Sequence, residues 1–291
     1  MSRKTMPELP EVQTIVDELN EKIKGRVIED VWVGKKKLIK NFSVLELKGK
    51  RIVQVTRRAK YIIIELSDDL ILLVHLKMTG HFLLGKWKTE KDESFPAIEG
   101  PIKDDPYNSY VHIIFYLDSG EELGFSDLRQ FGKMELYTKK EFSNLKEIKE
   151  LGPEPFSKEF TLDYFKSIAK KKKTNIKKLL LDQEKIAGIG NIYSSEILFL
   201  SKINPERKTE SLTEEEMESI YEAIKIILKK ALELKGTSMS DYRRLKGNKG
   251  NYQSSVLVYG RKGMKCLDCN GIIRYVKIGS RGTFYCPHCQ K

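Results

Sequence analysis

Four cysteines near the C-terminus constrain this chain more than any other feature. They form two pairs, Cys266 with Cys269 and Cys286 with Cys289, and sixteen residues separate the pairs. This is the C-x2-C…C-x2-C spacing of a tetrahedral zinc site with four thiolate ligands. Such a site has no open coordination position, so the metal would be structural and would hold a hairpin too short for a core of its own. Two disulfides are the alternative, but they require an oxidising compartment, and the sequence shows no secretory signal.

The charge distribution differs between the two halves of the 291-residue chain. Residues 1–150 carry 26 basic and 25 acidic side chains, whereas residues 151–291 carry 27 and 16, a net charge of +11. Excess positive charge in one half is the electrostatic footprint of a site for a polyanion. A solvated lysine-rich surface is the alternative, and Lys170–Lys173 alone would fit it. With 40% hydrophobic and 32% charged residues, the composition is that of a globular protein, and we expect no membrane partner.

The first half of the sequence predicts one helix followed by strands. Apolar residues recur with the helical period over Glu11–Lys24. Short β-branched or aromatic segments bounded by turn residues predict strands at Val27–Val33, Ile52–Arg57, Tyr61–Leu66, Leu70–Leu76, Val111–Leu117, Glu122–Phe125 and Lys133–Tyr137. The polar segment Lys86–Asn108 is predicted to be a long loop. One helix and many short strands indicate a β-sandwich domain.

The pattern changes at Leu151–Pro155, whose Gly and Pro residues mark a domain boundary. Beyond it, helices are predicted at Leu162–Lys172, Asn175–Asp182, Ile192–Leu200 and Thr213–Leu234. A tight turn, Ala187–Asn191, joins two of these helices, as in helix-turn-helix folds. Asn191 is either a simple N-cap, or it stands at a helix start whose backbone N–H groups bind a phosphate.

The run Met6–Val12 reads Met-Pro-Glu-Leu-Pro-Glu-Val. If translation starts at Met6 and this Met is removed, Pro7 becomes a free secondary amine with the carboxylate of Glu8 beside it. An α-amino group has a pKa of about 8, so much of it is nucleophilic near neutral pH. Attack on an aldehyde-level carbon would give a cationic iminium, an electron sink that suits elimination chemistry. The alternative is a proline-flanked helix start in which Glu11 favours the positive end of the helix dipole.

Together these motifs resemble one family, the formamidopyrimidine-DNA glycosylases, which are related to the endonuclease VIII enzymes. The resemblance spans residues 6–291. It rests on motifs that stand in the order of the family: Met6–Val12, Arg57–Tyr61, His75–Gly80, Arg129–Gly132, Gly190–Glu196, Val258–Gly263, and the four cysteines with Arg281 between the two pairs.

The resemblance implies the chemistry of a bifunctional DNA glycosylase and AP lyase. Pro7 would attack C1′ of the damaged nucleotide and expel the base. Glu8 would transfer protons at the sugar and stabilise the iminium. Lys60 resembles the second basic catalytic residue of the family, although an exposed lysine at a strand end would look the same. Arg281 matches an arginine that grips a phosphate beside the lesion and assists the last elimination, a role that suits a planar guanidinium.

A base inside a duplex cannot be reached, so such an enzyme flips it out and fills the gap. Met78, Arg129 and Phe131 match the gap-filling residues of the family: a flexible apolar plug, a donor to the orphaned base, and an aromatic wedge. Their sequence settings predict loop tips, although Met78 and Phe131 alone would more often be core residues. The resemblance places a further set of residues at the DNA: Tyr110, His112, Lys173, Lys177 and Asn191.

Several departures from the family pattern affect this interpretation. Met1–Thr5 precede the start of the family, and if they remain attached, the nitrogen of Pro7 is an amide and no nucleophile. Tyr110 stands where the family often has His, so it can donate one hydrogen bond to phosphate but carries no charge. Gln130 stands where a second Arg is frequent. The segment Gly236–Gln253 matches the loop that caps the flipped purine but differs in detail, so the lesion preference stays open.

We therefore expect an α+β architecture: an N-terminal helix with a β-sandwich over residues 7–150, a helix-two-turn-helix domain with the capping loop over 151–255, and a zinc-finger hairpin over 256–291. DNA would bind in the cleft between the domains. The expected reaction is removal of 8-oxoguanine and formamidopyrimidines, followed by strand cleavage through β- and δ-elimination. One structural Zn²⁺ is expected, with no redox cofactor or catalytic metal. The partner would be double-stranded DNA with an oxidised base or an abasic site, bound by a monomer in a bacterial-type cytoplasm, at the nucleoid.

Two alternatives remain. An endonuclease VIII-type enzyme would act on oxidised pyrimidines. That group resembles a start with Gly where this chain has Leu9, and it usually lacks a comparable capping loop. A non-catalytic DNA-binding protein with the same scaffold would be favoured if Pro7 were blocked.

Overall fold

The computed structural model of the chain describes residues 6–291, and these form two compact units. The first unit contains the described residues up to Lys149 together with Lys235–Asn251, and the second contains Glu150–Leu234 and Tyr252–Lys291. The change of unit after Lys149 falls at the linker that the sequence predicts. We expected residues 236–253 in the helical domain, but most of this segment lies in the first unit. Of the helices in residues 6–291, none has the length and apolar character that a membrane span requires.

The first unit consists of helix α1 (Leu9–Ile23) and a β-sandwich with two antiparallel four-stranded sheets. The strands of this unit are β1 (Ile28–Val33), β2 (Ile52–Arg58), β3 (Tyr61–Leu66), β4 (Leu70–His75), β5 (Gly80–Gly85), β6 (Trp87–Glu90), β7 (Glu93–Pro96), β8 (Val111–Leu117), β9 (Glu122–Asp127) and β10 (Lys133–Thr138). One sheet has the order β1-β8-β9-β5 and the other β10-β4-β3-β2. All seven strands predicted from the sequence are confirmed, with ends that differ by at most two residues.

The apolar stripe of α1 explains why this helix packs against β2 and joins the sandwich core. Val12, Ile15 and Leu19 are each fully buried, as the helical period of the sequence requires. Between the sheets, Phe82 of β5 and Phe125 of β9 meet edge to face, with ring centroids 5.1 Å apart.

The prediction of a long loop at Lys86–Asn108 is wrong. The segment holds the hairpin β6–β7 and a short helix, α2 (Pro101–Asp104). Its anchor is Trp87, which is 6% exposed and packs in a cluster with Leu83 and Ile114 of the neighbouring sheet. Burial of this one large side chain stabilises a hairpin whose own sequence is mostly polar.

Two short helices, α3 (Lys139–Phe142) and α4 (Lys146–Lys149), end the first part of this unit. The second unit is helical, with α5 (Leu162–Lys171), α6 (Ile176–Leu181), α7 (Asn191–Leu200) and α8 (Glu214–Glu233). These four helices confirm the predicted ones to within one residue at each end. At α8 the reason is local, because Thr213 and Glu216 form a reciprocal capping box. The hairpin β11 (Arg274–Ile278) and β12 (Arg281–Tyr285) shares the core of these helices through Phe284.

Candidate active site

Pro7 and Glu8 lie directly before α1, and both are buried. The backbone N–H of Glu8 donates to one carboxylate oxygen of Glu11 at 2.8 Å. The other oxygen of Glu11 accepts the N–H of Thr237 at 2.7 Å. Glu11 is therefore more than a favourable charge at a helix start: one buried carboxylate fixes both the residue next to Pro7 and the segment at Thr237. The capping-box pattern signals the first contact, and nothing in the sequence signals the second. A free Pro7 requires that Met1–Thr5 and Met6 are absent, and Met1–Thr5 lie outside the described residues.

Lys60 occupies the two-residue turn between β2 and β3. It is 6% exposed, which disfavours the alternative of an exposed lysine at a strand end. The preceding residue, Ala59, has a left-handed backbone with φ of 52°. Arg57 supports this turn, because its guanidinium donates to the carbonyl of Ala59 at 2.8 Å and to the side chain of Gln13 on α1 at 2.8 Å.

The structure brings Met78, Arg129 and Phe131 together. Met78 lies in the β4–β5 connection, whereas Arg129 and Phe131 lie in the β9–β10 connection, and both connections cross between the two sheets. One guanidinium nitrogen of Arg129 is 2.9 Å from the sulfur of Met78, and the guanidinium carbon is 4.6 Å from the centre of the Phe131 ring. Phe131 is 50% exposed. These residues are therefore at loop tips, as the sequence predicts, and not in the core.

A buried aspartate, Asp127, builds the platform under these three residues. Its side chain accepts the hydroxyl of Thr79 and the N–H of Gly132, the latter at 2.7 Å. The same Thr79 hydroxyl accepts the N–H of Arg129 at 3.0 Å, and the carbonyl of Asp127 accepts the N–H of Gln130 at 3.0 Å. Gln130 adopts a left-handed conformation with φ of 53°. Asp127 thus links both connections, a role that our sequence analysis missed.

A neutral histidine supports the β4–β5 side of this platform. The Nδ1 of His75 accepts the N–H of Lys77 at 2.9 Å, and Lys77 itself is left-handed with φ of 51°. Burial, together with the smaller effect of the charges of Lys77, Lys60 and Lys133, lowers the pKa of His75 to about 3. The ring therefore keeps its acceptor nitrogen at neutral pH.

Tyr110 and His112 adjoin the same platform. The carbonyl of Tyr110 accepts the N–H of Asp127 at 2.9 Å, and the side chain of Tyr110 is 39% exposed. His112 is 9% exposed, and its Nε2 donates to the carbonyl of Asp127 at 3.2 Å. Burial lowers the pKa of His112. Of the two predicted DNA contacts, only Tyr110 presents its side chain to solvent, whereas the His112 ring contacts the strand end that carries Arg129.

In the second unit, Lys173 is exposed between α5 and α6, whereas Lys177 is fully buried. The ammonium of Lys177 donates to the carbonyl of Asn191 at 3.0 Å and to the hydroxyl of Ser195 at 2.7 Å. The prediction that Lys177 contacts a DNA phosphate directly is therefore corrected: its charge is used inside the protein, to fix the first turn of α7.

Asn191 is the first residue of α7, after the N-cap Gly190. Its side-chain amide donates to the carbonyl of Gly282 at 2.9 Å. This bond holds the start of α7 against β12, next to Arg281, which is exposed at the first position of that strand. The start of α7 is thus bonded to the residue that follows Arg281 in the chain.

Glu196 completes this arrangement and was also missed. Its carboxylate is fully buried and accepts the N–H groups of Leu257, Val258 and Tyr259 at 2.6, 3.0 and 2.8 Å. Burial raises the pKa of Glu196, against the effect of these three donors and of the Lys177 charge. Glu196 therefore fixes the segment that leads into the cysteine hairpin. A glutamate on an apolar helix is the only sequence signal of this role.

The four cysteines form a cluster whose Sγ atoms all lie within 4.8 Å of one another. The Sγ atoms of Cys266 and Cys289 are 3.8 Å apart, and those of Cys269 and Cys286 are 3.5 Å apart. A tetrahedral site with Zn–S bonds of about 2.3 Å requires S–S separations of about 3.8 Å. The donor set fits zinc, and the cluster is the site of one structural Zn²⁺.

Comparisons with known families cover most of the chain. Residues 6–134 match the formamidopyrimidine-DNA glycosylase N-terminal domain, and residues 151–243 match the formamidopyrimidine-DNA glycosylase H2TH domain. Residues 263–291 match the zinc finger found in FPG and IleRS.

Individual proteins are similar to this chain over nearly its full length. The formamidopyrimidine-DNA glycosylase of Carboxydothermus hydrogenoformans is 42% identical over 98% of this chain and 100% of that protein. The protein of the same name from Bacillus cereus strain ATCC 14579 is 38% identical, over 98% and 99%. Among solved structures, Lactococcus lactis FPG (MutM) with a Fapy-dG containing DNA has a TM-score of 0.84 at 33% identity, over 98% of this chain and 100% of that chain. Lactococcus lactis Fpg with an abasic site containing DNA also has a TM-score of 0.84 at 33% identity, over 98% and 99%.

Proposed function

Because the chain belongs to the formamidopyrimidine-DNA glycosylase family, we propose that Pro7, as the N-terminal residue, is the nucleophile of its reaction. The protein is a DNA glycosylase and AP lyase that acts on formamidopyrimidine and other oxidised-purine lesions. The observation that carries the assignment to Pro7 is its position. It is buried directly before α1, and Glu8 beside it is fixed by Glu11.

The proposed reaction begins when the secondary amine of Pro7 attacks C1′ and the glycosidic C–N bond breaks, so that the base leaves with a proton. The sugar ring opens and the amine nitrogen forms an iminium with C1′. Its positive charge acidifies C2′–H; loss of this proton expels the 3′-phosphate, and a second elimination expels the 5′-phosphate. Glu8 transfers protons at the sugar and stabilises the iminium, because it is the carboxylate next to Pro7. Lys60 acts as the second basic group, which its buried place in the β2–β3 turn supports.

DNA binding uses groups from both units. Arg129 donates to the orphaned base, Met78 fills the gap left by the flipped base, and Phe131 inserts between base steps. The contact of these three side chains at two neighbouring loop tips supports this division of roles. Arg281 and the start of α7 bind phosphate, and Lys173 adds a salt-dependent contact. The partner is double-stranded DNA with an oxidised base or an abasic site, and the protein acts as a monomer. Four reduced cysteines in one metal cluster favour a reducing compartment, which supports a cytoplasmic location at the nucleoid.

Borohydride trapping tests the nucleophile. A chain that starts at Pro7 should form a covalent adduct with lesion-containing duplex under reduction, and mass spectrometry should locate the adduct on Pro7. Pro7→Gly keeps a terminal amine and should retain some trapping. A chain that keeps Met1–Met6 should form no adduct, because its Pro7 nitrogen is an amide. Equal trapping and cleavage by the long and short chains would contradict the proposal and make Lys60 the next candidate.

Oxidised pyrimidines are a second candidate substrate class. A crystal structure of a relative favours them: wild-type Lactococcus lactis FPG, 34% identical to this chain, was crystallised with an oxidised pyrimidine containing DNA. Rates of excision from duplexes that differ only in the lesion, an oxidised purine or an oxidised pyrimidine, decide between the two classes.

A further inference from the structure

The segment Gly236–Gly250, here called the capping loop, is anchored to the first unit by its own side chains. Tyr242 and Leu245 are 4% and 2% exposed and belong to the apolar core of the β-sandwich. The carbonyl of Leu245 accepts the N–H of Leu84 on β5 at 2.7 Å. The middle of the capping loop is therefore part of a folded core, although its sequence is rich in Gly and in basic residues.

Arg243 makes a buried ion pair that anchors the capping loop. It is 2% exposed, and its guanidinium forms a two-pronged ion pair with Asp105, with Nε–Oδ2 and Nη2–Oδ1 distances of 2.7 and 3.1 Å. The remaining terminal nitrogen donates to the carbonyls of Ser240 and Tyr242, each at 2.7 Å. One buried guanidinium thus holds the loop to itself and to the segment after α2. Such a charge pair fixes geometry strictly, because loss of one partner leaves the other buried and unpaired.

The carboxylate of Asp105 is oriented and kept ionised by its surroundings. Its Oδ1 also accepts the N–H of Tyr107 at 3.0 Å, and the ring of Tyr107 lies under the Arg243 guanidinium at 4.9 Å. Burial of Asp105 acts to raise its pKa, but the bonds from Arg243 and Tyr107 outweigh this effect and keep the pKa lowered. The pair is therefore charged throughout the neutral range.

Two carboxylates of α1 bond the start and the middle of the same loop. Glu18 accepts the Nε of Arg244 at 2.7 Å and the N–H of Leu245 at 2.9 Å, and Glu11 accepts the N–H of Thr237. Glu11 and Glu18 are seven residues apart, so they lie on one face of α1. The helix that starts beside Pro7 is thus bonded directly to the capping loop.

We propose that Arg243 and Asp105 form a latch that holds the capping loop in its working position before a lesion arrives, and that they are positioning residues for base excision. The inference rests on the proposed function, since it takes the loop as the part that covers the flipped base. A preorganised loop loses little further conformational freedom when a base enters. An abasic site has no base to cover, so the latch contributes to excision and not to strand cleavage at an abasic site.

The experiment compares two reactions of one variant. Asp105→Asn keeps an oxygen that can cap the N–H of Tyr107 but removes the charge opposite Arg243. We expect kcat/KM for release of a formamidopyrimidine base to fall about tenfold, while cleavage of a duplex with a preformed abasic site stays within about twofold of the unmodified protein. The matched control is Lys103→Gln, which removes an exposed ion pair with Glu99 in the same segment and should change neither rate.

The exchange rates of backbone amides in the capping loop test the latch without any measurement of enzyme activity. In the unmodified protein the amides of Thr237 and Leu245 should be protected, and in Asp105→Asn both should exchange at least about tenfold faster. The double variant Asp105→Asn, Arg243→Met leaves no unpaired charge. It should fold and show the same selective loss of excision.

The outcomes separate failure of the latch from failure of the proposed function. Equal loss of both reactions in a folded variant, unchanged amide exchange, or recovery of normal excision in the double variant would overturn the latch. If the unmodified protein processes neither duplex but its exchange responds as expected, the proposed function fails, and with it the role of the latch in excision, while the role of the latch in holding the loop stands.

Discussion

Removal of the carboxylate of Asp127 tests how the gap-filling residues are held in place. This side chain is fully buried, and it accepts one N–H at 2.7 Å and one hydroxyl, from the two connections that carry Met78, Arg129 and Phe131. Asp127→Ala would leave the Gly132 N–H and the Thr79 hydroxyl without this acceptor, and would leave a small void.

The magnitude follows from these two bonds. A hydrogen bond to a charged group contributes about 1.5–3 kcal/mol, so loss of both should lower the free energy of unfolding by about 3–6 kcal/mol. For a unit of this size, such a change lowers the melting temperature by roughly 6–24 °C. Asp127→Asn retains one acceptor, for the Gly132 N–H, and should cost about half as much.

Two measurements check the prediction. Thermal unfolding should show the order unmodified protein, Asp127→Asn, Asp127→Ala, while Asp118→Asn, at an exposed turn, should leave the melting temperature unchanged. Excision opposite each of the four bases, measured below the melting temperature of the variants, should show weaker discrimination in Asp127→Ala, because the backbone of Arg129 loses its support.

An Asp127→Ala protein that melted within about 2 °C of the unmodified protein would contradict the stabilising role of Asp127. A destabilised Asp127→Ala that kept its full preference for the opposite base would show that the aspartate supports the fold and not the position of Arg129.

Three further predictions concern single residues. Arg129→Ala should lose about 1–3 kcal/mol of discrimination among opposite bases, whereas Lys173→Ala should weaken binding to all duplexes equally. Binding titrations with duplexes that carry each of the four opposite bases separate these results. Uniform weakening by Arg129→Ala would show that Arg129 does not contact the orphaned base. Metal analysis should find one zinc per chain. Cys289→Ser should lose both zinc and DNA binding because the hairpin that carries Arg281 unfolds. A folded, active and zinc-free protein would contradict the structural role of the zinc. The folded pKa of His75, about 3, lies below its unfolded value of about 6.5, so its contribution to stability is present above pH 6.5 and is lost as the pH falls toward 3. Between pH 7 and 5 the unmodified protein should therefore lose about 2 kcal/mol more than His75→Asn, and equal losses in thermal unfolding would show that the ring is protonated in the folded protein.

The fold elements that the sequence predicted well are those whose signal is local. The four cysteines carry their ligand spacing within 24 residues, and the four helices of the second unit carry their apolar period and their caps. The run at Met6–Val12 likewise placed Pro7 and Glu8 directly before a helix. Such features depend on neighbours a few residues away, so a single sequence contains them in full.

Other features depend on partners far along the chain, and only the tertiary structure decided them. β5 was missed because its segment, Gly80–Gly85, has Gly at both ends, and it becomes a strand by pairing with β9. The polar hairpin β6–β7 forms because Trp87 packs in an apolar cluster. The segment after α8 joins the first unit because Arg243 meets Asp105 and Thr237 meets Glu11 across more than a hundred residues.

The same distinction separates the predicted site residues from the ones that were missed or reassigned. Residue type and motif pointed to Lys177 as a surface phosphate contact, but the fold buries its charge against α7. Asp127 and Glu196 look like ordinary acidic residues in the sequence, yet each is buried where several backbone or hydroxyl donors converge. The sequence alone therefore determined the family, the zinc ligands and the residues that we propose for the chemistry. The tertiary structure decided which charges face solvent and which hold the backbone, because desolvation and hydrogen bonding act between groups that only folding brings together.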